Sequence, residues 1–75
     1  MISEVRADMV ASVIDVSVAV GNSVVEGDTM VMLESMKMEI PVLAEVDGTV
    51  TRVSVAEGDV VQRDDLIIII DDHRE

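Results

Sequence analysis

An all-β fold is predicted for this chain of 75 residues from its composition, its alternation and an internal repeat. Sixteen valines and seven isoleucines stand against three leucines, and β-branched side chains suit the pleated surface of strands. No aromatic residue is present, so the core must be aliphatic. The length predicts one domain over residues 1–75, with residues 72–75 as a charged tail that frays.

The internal repeat divides the chain into two similar halves. A pattern of valines around one glycine occurs twice, 37 residues apart: Val16, Val18, Gly21 and Val24, then Val53, Val55, Gly58 and Val61. Beyond that turn the repeat is aligned with an offset of 36, which matches Asp28 to Asp64. Two similar halves made of short strands predict two small sheets, related by a pseudo-twofold axis and packed face to face.

Strand positions follow from the period-2 alternation of apolar and polar residues. Residues 14–20 give the clearest signal, and residues 2–10 give a weaker strand. The alternation slips between Val50 and Val53, which indicates a bulge or a strand that changes sheets. Three glycines are interpreted as turn residues: Gly21, Gly27 and Gly48.

Residues 30–39 are ambiguous by propensity, because methionine, leucine, glutamate and lysine favour helices. The repeat decides against a helix, since its second copy, residues 66–70, is a short β-branched run. We therefore predict a hairpin of residues 30–35 and 38–43 that turns at Met36 and Lys37. Such turns normally use Gly, Asn or Asp, because they need positive φ. A turn without these residues is either wrongly assigned or retained for a function.

Lys37 is the one lysine in the sequence. A single amine at a defined turn is what covalent attachment of a group requires. The ordinary alternative is a lysine that solubilises the hairpin or protects a strand edge. Nothing nearby in the sequence activates Lys37 as a nucleophile, so a modifying enzyme would have to supply the activation.

Charge and composition exclude several classes of function. The net charge of −11 argues against binding nucleic acid or anionic lipid. No apolar run reaches the roughly 20 residues of a membrane span, and no signal peptide is recognised. With no cysteine, the sequence fits a soluble, cytoplasmic protein, expected to be a monomer when isolated.

No catalytic group or metal site is predicted. The serines lack a histidine partner, and His73 stands alone in the charged tail. Asp71, Asp72 and His73 could bind a metal ion weakly, but the pattern favours a frayed tail.

The segment Glu34-Ser35-Met36-Lys37-Met38-Glu39 resembles the biotin attachment motif, in which the lysine between two methionines is biotinylated. Flanking residues also resemble the biotin/lipoyl attachment domain family, over about residues 5–71. The most similar members are small stand-alone biotinyl-domain proteins related to biotin carboxyl carrier protein. The flanking patterns are Gly21-x-x-Val24-x-x-Gly27-Asp28, Ala44-x-x-Asp47-Gly48-x-Val50 and Gly58-Asp59-x-Val61.

The resemblance implies a barrel-sandwich hybrid, a flattened barrel of two four-stranded antiparallel sheets. It implies that a biotin protein ligase attaches biotin to Lys37, with Met36 and Met38 as recognition residues and Glu34, Ser35 and Glu39 as the motif flank. The biotin arm would carry a carboxyl group from a biotin carboxylase to a carboxyltransferase. The chain would then be a carrier and a substrate of the ligase, not an enzyme.

Three departures from the family pattern concern the turns. The segment 7–12 lacks the usual Pro and Gly, and Arg63 stands where a glycine is usual, which questions the second-half turn. No insertion separates Val20 from Gly21, so the protruding thumb of some carboxylase carriers is absent.

Two alternative functions stay open on the sequence. The same lysine would carry lipoate in a lipoyl domain, although the flanking methionines argue against this. An acidic β interaction module without a cofactor is the other alternative.

Overall fold

Eight β-strands and no helix make up the structure, a computed structural model that describes residues 1–72. Six strands have five to seven residues and two have only two residues, and the all-strand content fits the β-branched composition. In chain order they are β1 (Ile2–Arg6), β2 (Ala11–Val16), β3 (Ser23–Val24), β4 (Thr29–Ser35), β5 (Met38–Leu43), β6 (Gly48–Val53), β7 (Val60–Val61) and β8 (Leu66–Asp71).

The strands form two four-stranded antiparallel sheets, in the orders β1-β8-β6-β3 and β5-β4-β2-β7. The molecule is elongated, with extents of 39 × 19 × 17 Å. Pro41 lies in β5, an edge strand, where a residue without an N–H does not interrupt a sheet. This architecture confirms the predicted all-β fold.

A pseudo-twofold axis relates the sheets, because β1, β2, β3 and β4 occupy the places that β5, β6, β7 and β8 occupy in the other sheet. Matching hydrogen bonds fix the alignment. The N–H of Ala7 donates to the carbonyl of Asp65, and the N–H of Ala44 donates to the carbonyl of Asp28. The offset is therefore 37 in this turn as well, and the predicted change to 36 was wrong.

The same turn answers the question raised by Arg63. With an offset of 37, Gly27 corresponds to Asp64, and both have positive φ, 96° and 73°. Aspartate tolerates the left-handed region better than most residues. The turn keeps its geometry, and Arg63 was wrongly matched to the glycine position.

The segment 7–12 bends at Asp8 and Met9, and the equivalent bend in the second half lies at Glu45 and Val46. Neither bend contains Pro or Gly. The lack of Pro and Gly in the segment 7–12 therefore does not make its bend differ from the equivalent bend in the second half.

The inner faces of the sheets form one aliphatic core. Met30, which is fully buried, lies within it, and no buried side-chain nitrogen or oxygen among residues 1–72 lacks a hydrogen-bond partner. The buried apolar residues are Ala7, Ala11, Val13, Val24, Met30, Val31, Leu33, Ala44, Val50, Val61, Ile67, Ile68 and Ile70.

The strand predicted over 14–20 lies earlier, at Ala11–Val16. Its inward face begins with Ala11 and Val13, and the register shifts between Val13 and Asp15 in the pairing with β4. A bulge changes which residues face inward. The alternation that the sequence shows from position 14 onward therefore applies only to the part of the chain that follows the bulge. Val20, predicted to share the apolar face, is exposed. The first strand also ends earlier than predicted, at Arg6.

Gly48 is not a turn residue, contrary to the prediction. It begins β6, and a Cβ placed there would overlap the backbone carbonyl oxygen of Asp71 and the Cγ2 of Ile70. Gly21 and Gly27 do have positive φ, as turn glycines should. The predicted irregularity after Val50 is confirmed as a register shift between Val50 and Arg52.

The predicted fraying does not begin at residue 72. Asp72 is 2% exposed, and its N–H donates to the carbonyl of Met1. The rest of the predicted tail, including His73, lies outside the described residues. No group of three or more potential metal ligands occurs within residues 1–72, and no helix there is suited to crossing a membrane.

Candidate functional site

The predicted hairpin is present and is built from β4 and β5. Leu33 pairs with Ile40, Glu34 with Glu39, and Ser35 with Met38. Leu33 is buried and Ile40 is half-buried against the core, so this pair anchors the hairpin. Beyond it, two further pairs carry the chain outward to the turn. The alternation in the sequence contained this information, and the helix propensity of the segment was overridden by sheet pairing.

Met36 and Lys37 form the two-residue turn, with φ values of 53° and 65°. Two left-handed residues in succession are typical of a type I′ turn, which matches the twist of the flanking strands. For residues with a Cβ this conformation costs about 1–2 kcal/mol each. Asp64 is the other non-glycine residue with positive φ between residues 1 and 72. The sheet therefore imposes this backbone on a methionine and a lysine.

The side chains at the tip project into solvent. Met36 is 91% exposed and Met38 is 66% exposed, and Lys37 is exposed between them. Both methionines could have been core residues on the sequence alone. Their exposure excludes that interpretation and leaves an apolar surface on both sides of the amine.

Two acidic side chains flank the lysine near the tip. Glu34 and Glu39 are directly opposite each other on adjacent strands, and both are exposed. Like charges in this position repel each other and destabilise the pair. The ion pairs identified within the described part of the chain do not involve Lys37, Glu34 or Glu39. The opposed carboxylates were not recognised in the sequence, because they become neighbours only through the strand register.

The site therefore offers one primary amine on an exposed two-residue turn. The amine forms no ion pair within residues 1–72, and the turn places it at the end of the β4–β5 hairpin, where it is available for acylation. Residues 34–39 (Glu34, Ser35, Met36, Lys37, Met38 and Glu39) contain no cysteine or histidine, so the tip itself supplies no Ser–His or Cys–His pair.

A family model described as biotin-requiring enzyme matches residues 3–70. The chain belongs to this family. The matched residues include every strand except the ends of β1 and β8, so the family membership covers the whole described fold. The family that the sequence resembled is thereby confirmed.

Small proteins are among the relatives within this family. The chain is 57% identical over 70 residues to the biotinylated protein TB7.3 homolog of Mycobacterium leprae, covering 93% of this chain and 99% of the relative. It is 65% identical over 44 residues to the biotinylated protein TB7.3 homolog of Mycolicibacterium smegmatis, covering 59% of this chain and 62% of the relative.

Large carboxylases are similar over this one region. The mitochondrial pyruvate carboxylase of Rattus norvegicus is 40% identical over 68 residues, covering 91% of this chain and 6% of the carboxylase. The solved structure of a single-chain, multi-domain long-chain acyl-CoA carboxylase matches with a TM-score of 0.88 and 28% identity, covering 95% of this chain and 7% of that chain. The biotin-requiring enzyme family thus uses this fold both in small chains and within large enzymes.

Proposed function

We propose that this protein is a biotin carrier in which Lys37 is the attachment site. The observation that carries the proposal is the position of the one lysine, exposed at a left-handed hairpin turn between two exposed methionines. Membership of the biotin-requiring enzyme family and similarity to a biotinylated protein over almost its full length support biotin as the cofactor.

Attachment is an acyl transfer to the Lys37 amine. The deprotonated Nζ attacks the biotin carboxyl carbon, which a biotin protein ligase presents as the acyl-adenylate. An amide bond forms, AMP leaves, and the proton lost from the amine passes to solvent or to the ligase. Because the activation comes from the ligase, this chain is a carrier and contributes no catalytic group.

The residues around Lys37 have distinct parts in this proposal. Met36 and Met38 present the apolar surface that the ligase contacts, since both are exposed and neither fills the core. Glu34, Ser35 and Glu39 complete the face that accompanies the lysine into the ligase.

Once bound, biotin supplies a ureido nitrogen that can carry a carboxyl group. The arm would start from the exposed end of the hairpin, and tethering raises the effective concentration at a second active site to about the millimolar range. We propose a biotin carboxylase and a carboxyltransferase as partners, because the chain is similar to segments of carboxylases and spans 6–7% of their length. The two active sites would lie in subunits or domains outside these 75 residues.

The decisive experiment is intact-mass measurement after incubation with a biotin protein ligase, biotin and ATP. We expect one biotinyl increment, located by peptide mapping at Lys37, and none in Lys37→Arg, which keeps the charge but cannot form the amide. A parallel reaction with a lipoyl ligase separates the alternatives. An increment only with lipoate would replace biotin by lipoate, and no increment with either ligase would favour the acidic interaction module.

A further inference from the structure

The methionines are the readily oxidised side chains of this protein. The sequence has six methionines and no cysteine, tryptophan or tyrosine. Mild two-electron oxidants such as hydrogen peroxide convert exposed thioethers to sulfoxides. Where these six sulfurs lie therefore decides what an oxidant does to the molecule.

The structure places the methionines of the hairpin in two very different environments. Met30 is fully buried and Met32 is half-buried, both within β4. With the offset of 37 they correspond to Ile67 and Ile69 of β8, so an aliphatic side chain fills the equivalent places. Met36 and Met38, in contrast, expose 91% and 66% of their surface on either side of Lys37.

We infer that Met36 and Met38 form a reversible oxidation site that controls modification of Lys37. A peroxide is the oxidant: the thioether sulfur attacks one peroxide oxygen, an S–O bond forms and the O–O bond breaks. The sulfur loses two electrons, the peroxide is reduced, and one molecule of water is released. Peroxide forms both sulfoxide epimers, and two methionine sulfoxide reductases, one for each epimer, reverse the change with a thiol reductant.

Oxidation changes the chemistry of the tip without removing a structural contact. A sulfoxide is polar, so the apolar surface beside the amine becomes a hydrogen-bond acceptor on both sides. The turn is held by the pairing of β4 with β5, in particular Ser35 with Met38 through the backbone, so the hairpin stays folded. The ligase would then meet a correctly placed lysine on a surface of the wrong polarity.

This inference rests on the proposed function, because its consequence is a slower biotinylation of Lys37. Loss of the burial of one methionine side chain against the ligase corresponds to about a tenfold decrease in specificity constant. Peroxide does not cleave an amide bond already formed at Lys37, so the control acts on the unmodified carrier.

The first test maps oxidation by mass spectrometry during treatment with hydrogen peroxide. We expect Met36 to be oxidised first among the four methionines of the hairpin, followed by Met38, with Met32 slower and Met30 protected. Equal rates at Met36 and Met30 would overturn the inference, and this measurement does not depend on any ligase.

The second test compares the rate of biotinylation before and after peroxide within each variant. In the wild type we expect a decrease of about tenfold or more, and treatment with the two epimer-specific reductases together should restore the rate. Met36→Leu/Met38→Leu retains the apolar surface but cannot be oxidised there, so its rate should not respond to peroxide. Met9→Leu, which removes a sulfur outside the hairpin, should respond like the wild type.

A further variant separates polarity from damage. Met36→Gln/Met38→Gln places polar side chains of similar length at the tip and should be biotinylated more slowly than the leucine variant without any peroxide. Equal rates for oxidised and untreated wild type would refute the control of Lys37. Failure of untreated wild type to accept biotin would instead refute the proposed function. The order of methionine oxidation would still be tested, because that measurement needs no ligase.

Discussion

At the scale of single residues, Lys37 and Gly48 both depart from the usual residue preferences of turns and strands, and each departure has a tertiary cause. Lys37 adopts positive φ although it carries a Cβ, because the pairing of Ser35 with Met38 leaves room for just two connecting residues. Gly48 has no side chain because the carbonyl of Asp71 occupies the space. At Lys37 the strand pairing imposes the backbone conformation, and at Gly48 the neighbouring strand leaves no room for a side chain.

Replacing Gly48 with alanine tests the second case. The new Cβ would overlap the Asp71 carbonyl and the Ile70 side chain, so β6 and β8 must separate locally. We expect a loss of about 1–3 kcal/mol in the free energy of unfolding, measured by urea denaturation. Glu57→Ala, at an exposed turn outside the sheets, should change it little. An equal effect of the two variants would show that the close approach does not matter.

At the scale of elements, the β4–β5 hairpin combines a well-anchored base with an unfavourable tip. Leu33 and Ile40 fix the register at the base. Towards the tip come the opposed carboxylates of Glu34 and Glu39 and then two left-handed residues. Repulsion and backbone strain at the tip are tolerated because the base contributes the burial that the tip lacks.

Met36→Asn should relieve the strain of the turn. Asparagine enters the left-handed region at a lower cost than methionine, and it is favoured in type I′ turns. We expect the free energy of unfolding to rise by about 0.5–1 kcal/mol, determined from chemical denaturation curves. Met38→Asn, in a strand, is the matched control and should not stabilise, since asparagine is disfavoured in strands. A decrease for Met36→Asn would mean that the methionine side chain stabilises the turn.

At the scale of the whole molecule, acidic charge is the dominant electrostatic feature. The net charge is −11, and Arg6 with Glu4 is the one ion pair between side chains found within residues 1–72. Arg6 also donates to the carbonyl of Asp64. An exposed pair of this kind contributes little to stability. Repulsion among the remaining carboxylates therefore opposes the compact state.

Added salt should stabilise the protein for this reason. Screening that recovers about 1 kcal/mol would raise the Tm by about 4–8 °C between low salt and about 0.5 M NaCl, as followed by circular dichroism. Glu34→Gln removes one of two opposed carboxylates and should reduce this salt dependence. Glu57→Gln serves as the control, since Glu57 lies outside the strands and their opposed pairs. A Tm that falls with salt would show that attractive charge pairs dominate.

Much of the fold and of the site follows from local patterns in the sequence. The repeat of Val16-x-Val18-x-x-Gly21 predicted the two related sheets, and the match of residues 30–34 to the second copy overcame their helix propensity. The tip at Met36 and Lys37 followed from the same alternation. The prediction was wrong where a bulge changed the alternation, as in β2. It was also wrong where the repeat was aligned with an offset of 36, because this matched Gly27 to Arg63 when its counterpart is Asp64.

The sequence by itself determined the strand content, the two halves and the position of one amine between two methionines, because these depend on residues close together in the chain. The tertiary structure decided which side chains face inward after each bulge, why Gly48 lies against Asp71, and that Asp72 is buried. It also decided that both methionines beside Lys37 are exposed and that Glu34 faces Glu39. These features depend on strand register and on contacts between distant residues, and no local pattern encodes them.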